Sequence, residues 1–287
     1  MFSPLLSIVA ILILCVTVKN FVPDNRKKPH ENIINPICSL CICGSLILPI
    51  TQLIASSKLI ISNASNFTLG LGAVISGIMI ASGRTITASS YHYTVVLSGQ
   101  IISKFSEGML IPFMNSLFGI SIISSVSNRI KLEKFCFTVY KSLKTIVKFV
   151  STLFVGILTL QNILASSADN LGITGAKMLI DTCVPIVGGA VSDAFATVSG
   201  CLKLLKSGAG AFGIIAGLFV FIPIITECII WIVFLNICEF LSDTFELTKP
   251  SSLFKSTAEI VKTLMAILIC IGVIIISSSA VIIMIGG

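Results

Sequence analysis

Long apolar runs broken by short polar stretches organise this chain. Residues 4–18, 33–55, 67–82, 149–165, 211–240 and 263–285 each read as an apolar helix suited to a bilayer, whose hydrocarbon core takes roughly 20 residues per crossing. Residues 94–126 form a further apolar stretch, interrupted by Lys104, Glu107 and Pro112. The two charges stand three apart on one helical face and can pair within a single crossing. Alternatively they cap a turn between two short crossings, the better fit if the basic segment that follows is cytoplasmic. The pattern predicts an all-α, polytopic transmembrane protein with about six or seven spans, and residues 1–287 form a single integral membrane domain.

The polar stretches differ in kind. Lys19, Arg26, Lys27 and Lys28 follow the first apolar run rather than precede it. That is the reverse of a cleaved signal peptide, so residues 4–18 are expected to be a first, short transmembrane helix with a cytoplasmic loop behind it. Residues 56–66 and 242–262 read as loops, and residues 84–93 as a polar break. Residues 128–148 hold Arg129, Lys131, Lys134, Lys141, Lys144 and Lys148. At 100° per residue the lysines gather on one side and Leu132, Phe135, Val139, Leu143 and Ile146 on the other. This predicts a basic amphipathic helix lying on an anionic membrane face; a partner-docking helix is the sharper alternative.

Residues 166–210 are neither clean span nor clean loop. Asp181, Pro185, Gly188, Gly189 and Asp193 form a bend motif inside an otherwise apolar region. A re-entrant pair of half-helices, allowed at membrane depth where protein or water covers the backbone, is one reading. An interfacial helix-turn-helix is the other. Glu227 lies mid-segment in residues 211–240, where an acid is either a functional group or a buried, hydrogen-bonded carboxyl. The Gly- and Ala-rich residues 67–82 predict close helix packing, in preference to a pore lining.

Composition agrees with the pattern. Mean hydropathy is +1.07, and 55% of residues are hydrophobic but only 11% charged, against about 25% charged in soluble domains. The net charge of +7 speaks for topology and anionic lipid rather than nucleic acid. The ten cysteines lie mostly in apolar runs. Cys38, Cys41 and Cys43 have metal-like spacing but no His or acidic partner nearby, so packing is expected and no metal or cofactor. Nucleophile-elbow, zinc-protease and P-loop motifs are all missing, and His30 and His92 are the only histidines. The residues therefore point away from an enzyme. A small-molecule permease coupled through Glu227 or the Lys104 and Glu107 pair is the rival reading, but such folds usually carry internal repeats and two matching broken helices, and this chain has one clear break.

The block D-T-C-V-P-I-V-G-G-A-V-S-D-A at residues 181–194, followed by T-V-S-G-C-L-K-L-L-K-S-G-A-G-A-F-G at 197–213, resembles the signature region of the stage III sporulation protein AE family. V-G-I-L-T-L-Q at 155–161 and T-G-A-K-M-L at 174–179 match the family's order and spacing. The resemblance covers roughly residues 66–287 and is specific in 155–213. Longer members of that family begin with a signal sequence and an extracytoplasmic segment, whereas this sequence opens on an apolar run. The resemblance implies a non-enzymatic, multi-pass protein of the mother-cell membrane around the forespore. It also implies work with the other stage III sporulation A proteins and a forespore-side partner, in a channel or secretion-like complex that supports late forespore sigma-factor activity. Anionic lipid and a second copy of the chain, forming a homo-oligomer, complete the expected partners.

Overall fold

A computed structural model of the chain describes residues 2–21, 27–105, 108, 111–126, 133–183 and 188–286. Among these the chain is all-helical, in the order α1 Phe2–Asn20, α2 Lys27–Ala81, α3 Thr85–Phe105, α4 Ile111–Val126, α5 Glu133–Cys183, α6 Gly188–Thr244 and α7 Thr248–Gly286. Apolar segments long enough to cross a membrane lie at Ile34–Ala81, Cys136–Gln161, Ser207–Thr244 and Thr248–Ala280, with shorter apolar helices at Pro4–Lys19 and Ile111–Val126.

The helices run on where loops were expected. Residues 56–66 lie inside α2, a helix of 55 residues, so residues 33–55 and 67–82 belong to one element. No glycine or proline stands between Pro49 and Gly70 to stop it. Two of its serines are buried and hydrogen-bonded: the Ser57 hydroxyl donates to the Leu53 carbonyl at 2.8 Å, and the Ser65 hydroxyl to the Gly99 carbonyl of α3 at 2.7 Å. At these two positions polarity marks internal hydrogen bonding rather than a loop. From Glu133 the basic stretch likewise continues without a break into residues 149–165 and on to Cys183. Residues 211–240 continue α6 from Gly188. The expected loop at 242–262 shrinks to residues 245–247, and the polar break at 84–93 to the turn at 82–84.

Both of those turns close in the same way. After α2, Gly83 takes φ +76°, its amide donates to the Ile80 carbonyl at 2.9 Å, and the Arg84 amide to Met79 at 3.1 Å. After α6, Glu246 takes φ +55°, its amide donates to Asp243 at 3.0 Å, and the Leu247 amide to Ser242 at 2.8 Å. Each is a Schellman closure with a left-handed residue just past the helix, which satisfies the last carbonyls. Leu247 is fully buried beside Cys15 and Cys38.

The chain forms two compact units, and the long helices contribute to both. Residues 1–60, 105–147 and 223–269 make unit 1; residues 61–104, 148–222 and 270–287 make unit 2. In unit 1, Cys15, Cys38 and Leu247 pack with Ile11, Val16 and Ile34. The core of unit 2 joins α2, α3 and α5 through Ile75, Met79, Tyr91, Val95 and Leu158. Of the four long apolar segments, that of α7 is the most enclosed and that of α5 the least. Phe149, Leu153, Ile157 and Leu160 of α5 are exposed, an apolar surface that hydrocarbon would cover.

Candidate functional site

The bend motif sits at the junction of two helices. Asp181 lies in the last turn of α5, Gly188 and Gly189 open α6, and Asp193 follows in its second turn. Pro185 lies outside the described residues, as do Glu107, Arg129 and Lys131. The structure therefore places the two helix ends, and the side chains of the motif lie outside what it describes. Upstream and downstream, however, the signature stretches have defined surroundings in unit 2.

In residues 155–161, Leu158 and Gln161 stand three apart on one face of α5. Leu158 is buried against Tyr91 and Val95 of α3, and the Gln161 carbonyl oxygen accepts from the Thr94 hydroxyl. Two turns further on, Asp169 is buried to 5% exposure. Its carboxylate accepts from the Ile86 amide at 3.1 Å and from the Thr87 amide at 2.7 Å. Those amides belong to the first turn of α3, which has no partner for them within the helix. A carboxylate there also meets the positive end of the helix dipole. α5 thus caps α3 across the fold. The Ser76 hydroxyl of α2 lies 3.4 Å from Nδ1 of His92 on α3, so polar contacts accompany the apolar packing of α3 against both α2 and α5.

In residues 197–213 the glycines divide. At Gly213 a Cβ would lie 2.7 Å from Leu71 Cδ2 and 2.8 Å from Ser279 Oγ, so α6 meets side chains of α2 and α7 too closely for a Cβ unless they shift. Gly72 has the same role between α2 and α3, where a Cβ would lie 2.6 Å from Val95. Gly70 and Gly208 meet nothing within 4 Å. They line an apolar groove of about 990 Å³ between α2 and α6, with Phe67, Val74, Leu204 and Phe212. The small residues of 67–82 therefore split between close packing and an open groove, a division that composition does not reveal.

The charged candidates also separate. Lys104 is exposed at the end of α3, and Glu227 is half-buried in α6 beside the buried Cys228. Lys134 lies in the first turn of α5. Lys141 and Lys148 are exposed, whereas Lys144 turns inward and its Nζ lies 3.0 Å from Glu259 Oε2 of α7. Lys262 reaches the other oxygen, Oε1, at 3.0 Å. Sequence reasoning missed Glu259 because its partner stands 115 residues away; only the i, i+3 spacing to Lys262 was visible. The three cysteines near the start of α2 do not converge. Cys38 packs on Cys15, Cys43 Sγ faces Ser125 Oγ at 3.9 Å and Cys41 is exposed. Among the described residues no group of three or more His, Cys, Asp or Glu gathers to hold a metal.

A sequence profile described as "Stage III sporulation protein AE" matches residues 1–286, extending the likeness to the N-terminal segment before residue 66. The Stage III sporulation protein AE of Bacillus subtilis (strain 168) is 21% identical over 154 residues, 54% of this chain and 39% of that protein. The matched region thus spans about two-fifths of the length of that relative. No solved structure matches. With the profile covering residues 1–286 and several helices long and apolar enough to cross a membrane, this chain belongs to the stage III sporulation protein AE family of sporulation proteins.

Proposed function

We propose that this chain is a non-enzymatic, multi-pass subunit of a channel or secretion-like complex linking mother cell and forespore. It resides in the mother-cell membrane around the forespore, and it is needed for forespore development and late forespore sigma-factor activity. Its partners are the other stage III sporulation A proteins and a forespore-side membrane protein. The observation that carries this reading is the family match across residues 1–286. The rest of the molecule suits a platform: apolar helices dominate, and the signature residues Leu158, Gln161 and Gly213 are engaged in helix packing. The bend at Asp181, Pro185, Gly188, Gly189 and Asp193 either packs against partner subunits or lines the passage.

Gene deletion with complementation tests this directly. The wild-type gene should restore heat-resistant spores and late forespore gene expression. Pro185→Ala, Gly188→Leu and Asp193→Ala should fail to do so at normal membrane levels. Normal sporulation without the gene would refute the reading and bring forward a stand-alone permease.

A further inference from the structure

Unit 1 contains a second feature that the packing of the helices does not use. The N-terminal parts of α5 and α7, just past their first turns, border a cavity of about 450 Å³, lined by Phe137, Thr138, Tyr140, Ser252, Lys255, Ser256 and Glu259. That volume lies within the range of small-ligand sites, about 300–1,000 Å³. The floor is fixed, because Tyr140 is 2% exposed and its hydroxyl lies 3.2 Å from Ser121 Oγ. One wall carries hydroxyl groups. Phe137, 55% exposed, also lines the cavity.

The charge balance at this cavity is positive. Among the described residues Glu259 is the one acid lining it, and both of its oxygens are held at 3.0 Å by Lys144 and Lys262. Two ammonium groups outweigh one carboxylate, and Lys255, one turn before Glu259 on α7, adds a third. Lys255 is exposed, lines the cavity and forms no ion pair among the described residues. The requirements of a ligand follow. It must be anionic, accept hydrogen bonds from hydroxyls and an ammonium, and carry an apolar portion to cover Phe137. Both walls belong to segments long and apolar enough to cross a membrane, Cys136–Gln161 and Thr248–Ala280. Basic pockets between such helices suit phospholipid headgroups.

We propose that this cavity holds the phosphodiester headgroup of one anionic phospholipid, with Lys255 as counter-ion and an acyl chain over Phe137. The site is distinct from a diffuse attraction of the basic stretch to a membrane surface, and it does not depend on the channel reading.

The test is native mass spectrometry of the full chain in detergent with equimolar phosphatidylglycerol and phosphatidylcholine. One phosphatidylglycerol should be retained in preference. Lys255→Gln should lower that preference about fivefold, the contribution of one lysine near an anionic headgroup. Lys141→Gln, which changes an exposed lysine of α5 that does not line the cavity, should leave it nearly unchanged. Glu259→Gln should raise it, since it removes the opposing charge and releases two lysines. Lys255→Gln changes an exposed side chain, and an unaltered helical circular dichroism spectrum confirms that the fold survives. Equal retention of the two lipids by the wild type would overturn the proposal, as would equal losses in Lys255→Gln and Lys141→Gln. If inorganic phosphate displaces the lipid and binds with the same Lys255 dependence, the ligand is a soluble phosphate and the lipid assignment fails.

Discussion

The capping of α3 by Asp169 can be taken apart one atom at a time. Asp169→Ala removes both acceptors and leaves the Thr87 amide, in a fully buried residue, and the partly buried Ile86 amide without partners. An unpaired buried donor costs about 1–3 kcal/mol, and loss of a cap about 1 kcal/mol. Because the Ile86 amide is closer to the surface, we expect about 2–4 kcal/mol in all. Asp169→Asn keeps one acceptor but loses the charge, and should fall near half that value. Since the damage is local, amide hydrogen exchange by mass spectrometry is the assay. Peptides covering residues 85–93 should exchange about 30-fold to about 1,000-fold faster in Asp169→Ala, with a smaller change in Asp169→Asn. Peptides from unit 1 should be unaffected. Wild-type exchange at 85–93 in Asp169→Ala, or an equal rise everywhere, would refute the assignment of the carboxylate as a cap.

The two Schellman turns predict opposite outcomes. Gly83→Ala places a Cβ at φ +76° and should destabilise by about 1 kcal/mol, whereas Glu246→Gly relieves a side chain at φ +55° and should stabilise by up to about 1 kcal/mol. Both are measured by unfolding in mixed micelles with increasing dodecyl sulfate. Gly213→Ala should cost about 1–3 kcal/mol by the same assay, from overpacking against Leu71 and Ser279. Gly70→Ala and Gly208→Ala, which meet open space, should be neutral or slightly stabilising in a helix interior. A double-mutant cycle on Lys144→Met and Glu259→Gln should give a coupling of about 1–2 kcal/mol, because both groups are largely shielded from water.

Fold class was legible because apolar runs at membrane length leave few alternatives to helix. Element boundaries were less so. Ser56 to Asn66 looked like a loop because its residues are polar, but in a bilayer Ser and Thr can donate to the carbonyl of the preceding turn, as Ser57 does to Leu53. The turn after α2 was signalled more sharply than the polar break suggested. Gly83 directly after an apolar helical run is a C-terminal cap signal, and the structure places the stop there. Glu246 carried no such signal, since a left-handed Glu is uncommon. The lysines of residues 133–148 fell on one helical side by simple periodicity, yet Lys144 is withdrawn from that face by Glu259 of α7. Asp169 shows the same limit, since its partners precede it by 83 and 82 residues and no local pattern points to them.

The distance in sequence between Asp169 and the amides it caps sets an order of events during synthesis. Translation proceeds at about 5–20 residues per second, so the 83 residues from Ile86 to Asp169 take about 4–17 s to make. Throughout that interval the first turn of α3 has emerged while its carboxylate partner has yet to be made. Until α5 arrives, water must serve those amides or the turn stays frayed. The first turn of α3 is thus completed by a residue synthesised long after it, and the α3–α5 pair rather than the single helix is the smallest unit in which that end is capped.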